Sequence, residues 1–404
     1  MSSVIIIGGG AAGMAAAIAA ASCGDRVTVL ERMDRVGKKI LATGNGRCNL
    51  MNTGTLRYPG GSKLAKAVLN RCGAEEQRRF WEHHGLRMRQ EDGGRVYPIS
   101  GAATSVLDTL RHAMRALRVE TVTGAHVLDV IKVQNGWCVR TAENSYIAQR
   151  VIVAGGGCAQ PKLGSDGSLW PVMTALGHRL VQPRPALTQI ITDTAPIRGL
   201  SGIRVRSEVR ITSGAAEKHR EVGEVLFADY GVTGVCVMQC ARYAAPGDIL
   251  HIDLSKAMGF ADQKEMKAEL LRRTKLWDSI PDGEATELLT GLCVPKIALA
   301  LFRAAGIDLH TPVITKGSVE RLVQCAADFS LKIKGVKGFE SAQVTAGGLV
   351  CEQFDPCTLE SRIVQGIHAA GEILDVDGDC GGYNLMFAFG SGILAGLNGR
   401  TAPW

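Results

Sequence analysis

The apolar pattern of the first thirty-one residues predicts a strand, a glycine turn, a helix and a second strand. Val4–Ile7 is a short run of apolar, mostly β-branched residues, which is typical of a parallel strand buried on both faces. Small residues continue through the predicted helix to Val27–Leu30, the second strand. This order indicates an α/β fold of the nucleotide-binding type.

The turn after the first strand has the spacing G-x-G-x-x-G, formed by Gly8, Gly10 and Gly13. The first glycine permits the tight turn, the second lets backbone approach a pyrophosphate, and the third allows close helix packing. Ala11 and Ala12 begin the helix, where unpaired N–H groups and the helix dipole favour phosphate. Glu31 ends the second strand where an acid binds ribose hydroxyls, which favours FAD or NAD over NADP.

Residues 4–21 contain no charged residue, so a membrane span is the competing interpretation of this stretch. Four glycines at the turn, with no positively charged segment before it, argue against a span and a signal peptide. The twelve cysteines are scattered without a C-x-x-C pair, and Cys236 and Cys240 lack partners for zinc. We therefore expect a cytoplasmic protein with reduced thiols and no metal.

The next segments alternate between irregular and periodic patterns. After Glu31, a basic, glycine-broken segment is too irregular for a helix or a long strand. Residues 62–90 look helical and polar, and a second helix is predicted from about Ser105 to Leu117. Ala125–Val133 and Trp137–Arg140 have the pattern of a β-hairpin.

Val151–Gly157 is predicted to be a returning buried strand that ends in a second glycine turn, with Ala154, Gly155 and Gly156 as cofactor contacts. It is not a second G-x-G-x-x-G, because Gln160 occupies the last position. No separate nicotinamide-nucleotide domain is therefore predicted. NAD(P)H must dock beside the flavin by another route.

The sequence pattern in the second half of the chain predicts two inserted domains. From about Leu187 the pattern changes to short alternating strands, including Ile203–Ile211 and Glu224–Phe227, which indicates an antiparallel β domain. Residues 262–329 have the period of several helices, with breaks at Pro281, Asp282 and Gly283 and again near Gly306. We predict a Rossmann-like FAD-binding domain over 1–188 and 342–404, an inserted β domain over 189–258 and 330–341, and a small helical domain over 259–329.

Two glycine-rich segments supply further candidate cofactor contacts. The first follows the second strand and emerges at the carboxyl edge of the sheet, where cofactors bind. Its candidates are Arg32, Lys39, Gly44, Gly46, Arg47, Cys48 and Asn49. The second follows a predicted strand at Ile367–Ala370 and begins a helix that continues to about Leu397. Its candidates are Gly371, Glu372, Gly381, Gly382, Tyr383 and Asn384.

The segment GKKILATGNGRCN, the first glycine motif and the ending TAGGLV…GIHAAGEILDVDGDCGGYNLMFAFGSG resemble the bacterial flavoproteins with the signature G-[KR]-K-[IL]-L…G-x-G-R-C-N. That family includes proteins labelled aminoacetone oxidase or bile-acid-inducible flavoprotein. The resemblance covers nearly the whole chain and implies FAD in a three-part architecture. It also implies that Glu372 meets the ribityl chain and that Val127 contacts adenine. Gln160 and Ser168-Leu169-Trp170 depart from the family, which puts inherited substrate contacts in doubt.

The chemistry expected from this resemblance is reduction of an activated C=C bond. NAD(P)H reduces FAD, hydride passes to the β carbon of an enone, and an acid protonates the α carbon. Cys48, Tyr383 and Tyr97 are the candidate proton donors. The expected substrate is a small molecule of the 3-oxo steroid or bile-acid type, and the mild net charge of +7 favours an anionic one.

Two other functions stay open at this point. Relatives with this chemistry also act on uracil in ribosomal RNA, although no RNA-binding motif is present and aromatics are only 5% of residues, few for base stacking. The family label also allows an aminoketone oxidase that uses oxygen. Steady peroxide production without NAD(P)H would favour the oxidase.

Overall fold

The computed structural model describes residues 2–277, 284–311 and 313–404. The strands are β1 (Ser3–Ile7), β2 (Arg26–Glu31), β3 (Met51–Asn52), β4 (Met88–Gln90), β5 (Arg95–Pro98), β6 (Glu120–Thr123), β7 (Val127–Val133), β8 (Gly136–Thr141), β9 (Ser145–Ala148), β10 (Arg150–Val153), β11 (Leu180–Ala186), β12 (Ile190–Thr192), β13 (Arg204–Ser213), β14 (Ala216–Ala228), β15 (Gly231–Thr233), β16 (Ile249–Ile252), β17 (Phe329–Val336), β18 (Val344–Leu349) and β19 (Ile367–Ala369). The helices are α1 (Ala11–Ser22), α2 (Lys38–Ala42), α3 (Ser62–Leu69), α4 (Ala74–His83), α5 (Ala103–Ala116), α6 (Leu169–Ala175), α7 (Val235–Cys240), α8 (Leu254–Ala257), α9 (Gln263–Trp277), α10 (Pro295–Ala304), α11 (Lys316–Ala327) and α12 (Tyr383–Leu397).

The chain divides into two compact units, Met1–Pro185 with Ala342–Trp404, called here the nucleotide unit, and Ala186–Ser341, called the barrel unit. In the nucleotide unit, five parallel strands form a sheet in the order β19-β10-β1-β2-β6. β1 lies at the centre, and its apolar residues are buried, as expected for a strand covered on both faces. The predicted Rossmann-like fold is confirmed.

Smaller sheets complete the nucleotide unit. The antiparallel sheet β3-β5-β4 carries Tyr97, and the antiparallel sheet β7-β8-β9 contains the predicted hairpin. Helices α1 and α12, which carry no charged residue, pack closely against each other in the core. At the C-terminal end, β19 and α12 confirm the predicted order of a strand followed by a long helix.

Two helix predictions in this unit were wrong. The polar stretch 62–90 contains two helices and the strand β4, because α3 ends at Leu69 and Gly73 caps the start of α4. The Gly73 N–H donates to the Glu76 carboxylate at 3.1 Å, so a new helix begins there. The segment after Glu31 also contains the short helix α2, which five residues form after the left-handed Gly37.

The barrel unit is a closed antiparallel barrel in the order β12-β15-β14-β13-β16-β17, accompanied by helices α7 to α11. Alternate residues of the long strand β13, such as Val209 and Ile211, are fully buried inside, which is the period-2 pattern of a barrel wall. The antiparallel strands and the helix end near Gly306 agree with the sequence. The predicted break at Pro281, Asp282 and Gly283 lies outside the described residues. The division into separate β and helical domains stays a prediction.

A buried ion-pair network stabilises the nucleotide unit where the sheet begins. The Asp25 carboxylate, 3% exposed, accepts hydrogen bonds from Arg150 at 2.9 Å and from Arg400 at 2.5 Å. The Ser2 hydroxyl donates to it at 2.8 Å. Burial raises the pKa of Asp25, but the hydrogen bonds from Arg400 and Ser2 and the charges of both arginines outweigh it, so the pKa is lowered.

We expect Asp25→Asn to lower the free energy of unfolding by about 3 kcal/mol at pH 7, because the two arginines lose their buried partner. The folded pKa lies below the unfolded one, so this stabilisation is present above about pH 4 and is lost as the pH falls further. Urea unfolding at pH 7 and at lower pH measures both effects. Asp108→Asn, at an exposed carboxylate, is the control and should change stability by less than about 0.5 kcal/mol. An equal loss of unfolding free energy in Asp25→Asn and Asp108→Asn would contradict the stabilising role of the ion-pair network.

Candidate cofactor and active site

The glycine turn between β1 and α1 has the conformation that its sequence predicts. Gly8 has a φ of +106°, and a Cβ on Gly13 would lie 1.8 Å from the Gly8 carbonyl oxygen, so both positions require glycine. Gly10 differs, since a Cβ there would meet no atom within 4 Å. Ala11 and Ala12 form the first turn of α1 directly after it. Open space therefore lies in front of the helix N-terminus, where a pyrophosphate would bind.

Glu31 lies beside this turn. Its carboxylate accepts a hydrogen bond from the Gly9 N–H at 2.7 Å and another from the Met33 N–H at 2.8 Å. The neighbouring Arg32 forms an ion pair with Asp166 at 2.5 Å. The segment that leads into β7 lies beside the end of β2, because the Ala125 N–H donates to the Glu31 carbonyl at 2.9 Å. Val127, two residues later, is therefore close to the end of β2.

The second glycine turn packs directly on the first. A Cβ on Gly8 would lie 2.5 Å from the Ala154 carbonyl oxygen and 3.0 Å from the Gly155 Cα. Gly156 has a φ of +76°, which continues the turn in a conformation that favours glycine. The structure thus brings both predicted glycine segments to the carboxyl ends of adjacent parallel strands, β1 and β10.

Lys39 and Glu372 meet although 333 residues separate them. The Lys39 Nζ lies 2.7 Å from the Glu372 carboxylate, whose other oxygen accepts a hydrogen bond from the Thr345 N–H at 2.8 Å. Gly371, with a φ of +76°, places Glu372 at the end of β19. The ion pair fixes the Glu372 carboxylate near the carboxyl end of β19, and its contact with a ribityl chain stays a prediction.

The loop before β3 consists largely of left-handed residues. Gly44, Asn45, Gly46 and Cys48 have φ values of 56°, 55°, 83° and 57°. Arg47 lies with its guanidinium 4.1 Å from the centre of the Tyr97 ring and forms an ion pair with Glu91 at 2.5 Å. This loop therefore comes together with Tyr97 on the sheet β3-β5-β4.

The same region contains the start of α12. The Asn52 side chain donates to the Gly381 carbonyl at 2.8 Å, and a Cβ on Gly382 would lie 2.7 Å from the Asn49 Oδ1. Asn49 is buried, and its Oδ1 has no hydrogen-bond partner in the described part of the chain. The Asn384 side chain, in contrast, accepts from the Gly378 N–H at 2.8 Å and so closes the turn.

The three candidate proton donors are buried to different degrees and have different contacts. Tyr97 is buried, and the centre of its ring lies 4.1 Å from the Arg47 guanidinium. Cys48 is fully buried, and burial raises the pKa of its thiol to about 12. Burial also raises the pKa of Tyr383, whose hydroxyl donates to the Thr55 carbonyl at 3.0 Å. Sequence reasoning missed Tyr58, whose hydroxyl donates to the Tyr383 carbonyl at 2.7 Å and so supports the start of α12. No local motif marks Tyr58, since its partner lies 325 residues away.

These residues fit FAD. Open space in front of α1 suits a pyrophosphate, the Glu31 carboxylate at the adjoining turn suits ribose hydroxyls, and the buried Asn49 Oδ1 without a partner suits a ring N–H. α12 adds the positive end of a helix dipole beside Asn49. Among the described residues, no helix is long and apolar enough to cross a membrane, and no group of three potential ligands could hold a metal ion.

Comparison with known proteins gives consistent matches over the whole length. A model of the HI0933-like protein Rossmann domain matches residues 2–398. The chain is 37% identical, over 413 residues and 100% of both chains, to a 3-dehydro-bile acid delta(4,6)-reductase of Clostridium scindens. It is 27% identical to a ribosomal RNA dihydrouridine synthase of Haemophilus influenzae, over 98% of each chain. A solved 3-ketosteroid-delta4-(5alpha)-dehydrogenase of Rhodococcus jostii shares the fold, with a TM-score of 0.50 and 17% identity over 99% of this chain and 97% of that one.

We expect Gly10→Val to weaken FAD binding without unfolding the protein. The Gly10 backbone has a φ of −84°, which any residue adopts, so the new side chain would enter only the space in front of α1. The dissociation constant of FAD, measured by flavin fluorescence, should rise about 10- to 100-fold while the thermal midpoint of the FAD-free protein stays constant. Gly338→Val, where a Cβ also meets no atom within 4 Å, is the control. Unchanged FAD affinity in Gly10→Val would place the pyrophosphate elsewhere.

Proposed function

Because this chain belongs to the HI0933-like family of flavoprotein oxidoreductases, we propose that it is an NAD(P)H-fed, FAD-dependent reductase of activated C=C bonds. The proposed substrates are 3-oxo steroids or bile-acid-type enones with a Δ4 or Δ6 double bond. The observation that carries this proposal is the full-length similarity to the 3-dehydro-bile acid delta(4,6)-reductase at 37% identity.

The site supports this chemistry through orientation and charge. FAD, when bound, supplies the hydride chemistry. Glu31 and the N-terminus of α1 would hold its ribose and phosphates, and Glu372, fixed by Lys39, would bind the ribityl chain. The N-terminus of α12 would stabilise negative charge at the flavin pyrimidine. A side chain of the protein must then donate one proton to the α carbon of the enone.

A ribosomal RNA dihydrouridine synthase is the second candidate function. It is favoured by the relative from Haemophilus influenzae, which matches over 98% of each chain but at the lower identity of 27%. Uracil also contains a C=C bond conjugated to a carbonyl, so the same hydride and proton transfers would reduce it. An aminoketone oxidase that uses oxygen stays the third interpretation.

Anaerobic flavin spectroscopy tests these functions in one experiment. We expect NADH or NADPH to bleach the flavin absorbance of the purified protein, and a 3-oxo-4-ene steroid acid to restore it. Recovery only with a uracil-containing RNA would replace the steroid proposal with the RNA function. Bleaching by aminoacetone without any nucleotide, reversed by oxygen with peroxide release, would establish the oxidase instead.

We expect Tyr383→Phe to slow enone reduction by roughly 10²- to 10⁴-fold if its hydroxyl is the proton donor. The ring, which contacts Tyr58 edge to face at 5.8 Å, is retained, so reduction of the flavin by NAD(P)H should not change. Stopped-flow measurement of the two half-reactions separates these effects. Tyr97→Phe and Cys48→Ser test the other candidates in the same way, and Tyr146→Phe on β9 is the control. Normal reoxidation in Tyr383→Phe would exclude its hydroxyl as the donor.

A further inference from the structure

The sheet β3-β5-β4 and its neighbouring loops carry four arginines around Tyr97 and Tyr383, namely Arg47, Arg57, Arg89 and Arg95. Arg89 lies directly opposite Tyr97 in the antiparallel pairing of β4 and β5. Arg95 is two residues from Tyr97 on β5, so the two side chains lie on the same face of the strand. Of these four arginines only Arg47 is a predicted cofactor contact, so the positive charge of the other three has no role in the cofactor site described above.

Three of these arginines already have a carboxylate partner. Glu91 binds two of them, since its carboxylate lies 2.5 Å from Arg47 and 3.1 Å from Arg89. Arg57 forms an ion pair with Asp379 at 3.2 Å. Each of these three guanidinium groups is thus ion-paired, which holds the loops in place, although the two carboxylates balance only two of the three charges.

Arg95 is different. Arg95 is exposed, and its side chain forms no hydrogen bond or ion pair with any residue that the structure describes. It is nevertheless close to the start of α12, because Arg95 pairs with Asn52 between β5 and β3, and the Asn52 side chain donates to the Gly381 carbonyl at 2.8 Å. Burial raises the pKa of Tyr383 and of Cys380, and the positive charge of Arg95 acts in the opposite direction on both groups. A guanidinium without an ion pair among the described residues thus lies near the start of the helix that carries Tyr383.

We propose that Arg95 is a specificity-determining residue that binds the carboxylate of an acidic enone substrate. This inference rests on the proposed function and narrows the substrate class from steroid-type enones to those that carry an acid group. A guanidinium donates two parallel hydrogen bonds to a carboxylate, which gives both affinity and orientation. Of the four arginines around Tyr97 and Tyr383, Arg95 alone has no ion pair among the described residues, and one guanidinium matches one carboxylate. An RNA backbone needs several phosphate contacts to gain comparable affinity.

The test compares a 3-oxo-4-ene bile acid with its methyl ester, which differs only in the charge of the side chain. In Arg95→Gln, the KM for the acid should rise about 10- to 100-fold, while the KM for the ester stays unchanged. Because the Arg95 charge acts on Tyr383 with either substrate, any change in kcat should be the same for the acid and the ester. Arg95→Lys should restore part of the affinity for the acid. Calorimetric titration of the FAD-loaded protein with the saturated 3-oxo acid and its ester gives the same comparison without turnover.

Arg87→Gln is the matched control, because Arg87 is an exposed arginine of the same region whose side chain also lacks a hydrogen bond or ion pair in the described chain. It precedes β4 and lies beyond the end of β5, where the Ile99 N–H donates to its carbonyl at 2.9 Å. An equal loss for acid and ester in Arg95→Gln, or an equal loss for the acid in Arg87→Gln, would overturn the inference. If the wild-type protein reduces neither steroid, the proposed function fails, and the titrations alone decide whether Arg95 selects the acid.

Discussion

The close contact between α1 and α12 is the constraint on which the nucleotide unit depends. A Cβ on Gly392 would lie 2.2 Å from the Ala12 carbonyl oxygen, and one on Gly396 would lie 2.4 Å from that of Ala16. The helix backbones approach this closely because alanine and glycine leave no larger side chain between them. Each helix begins at a glycine turn, so their packing also fixes the distance between the two turns. Since these turns are expected to hold opposite ends of FAD, the sequence of the core helices sets the spacing of the cofactor site.

The loop that contains Cys48 shows how the protein maintains an unfavourable backbone at that site. Asn45 and Cys48 adopt the left-handed region, which costs a non-glycine residue on the order of 1 kcal/mol or more. The surrounding contacts offset this cost. The Cys48 N–H donates to the Thr43 carbonyl at 3.0 Å, and Arg47 is held by Glu91 and the Tyr97 ring. A conformation stabilised by contacts on both sides of the strained residues is preorganised, so little further ordering is needed when a ligand binds.

Much of the fold and part of the site could be predicted from the sequence, because local patterns encode them. The turn at Gly8 and the acid at Glu31 follow the spacing that is typical of the first strand, turn, helix and second strand of a dinucleotide-binding fold. The break between α3 and α4 was missed because residues 62–90 remain polar and amphipathic through it, and Gly73 is the only strong local signal. Contacts between distant segments leave no local signal at all. Asn52 meets Gly381 across 329 residues, and only the folded chain shows that Arg95 has no carboxylate partner among the residues that the structure describes.

The candidate proton donors illustrate why sequence motifs alone do not assign a catalytic role. Cys48 belongs to the most specific motif of the chain, yet it is fully buried and its thiol has a pKa of about 12. A donor must recover its proton from solvent after each turnover, and a fully buried thiol has no direct route to water. Tyr383 keeps a small exposed fraction of 6%. Contact with water gives Tyr383 a route to regain a proton that Cys48 lacks, so the environment favours Tyr383 over Cys48 as the donor.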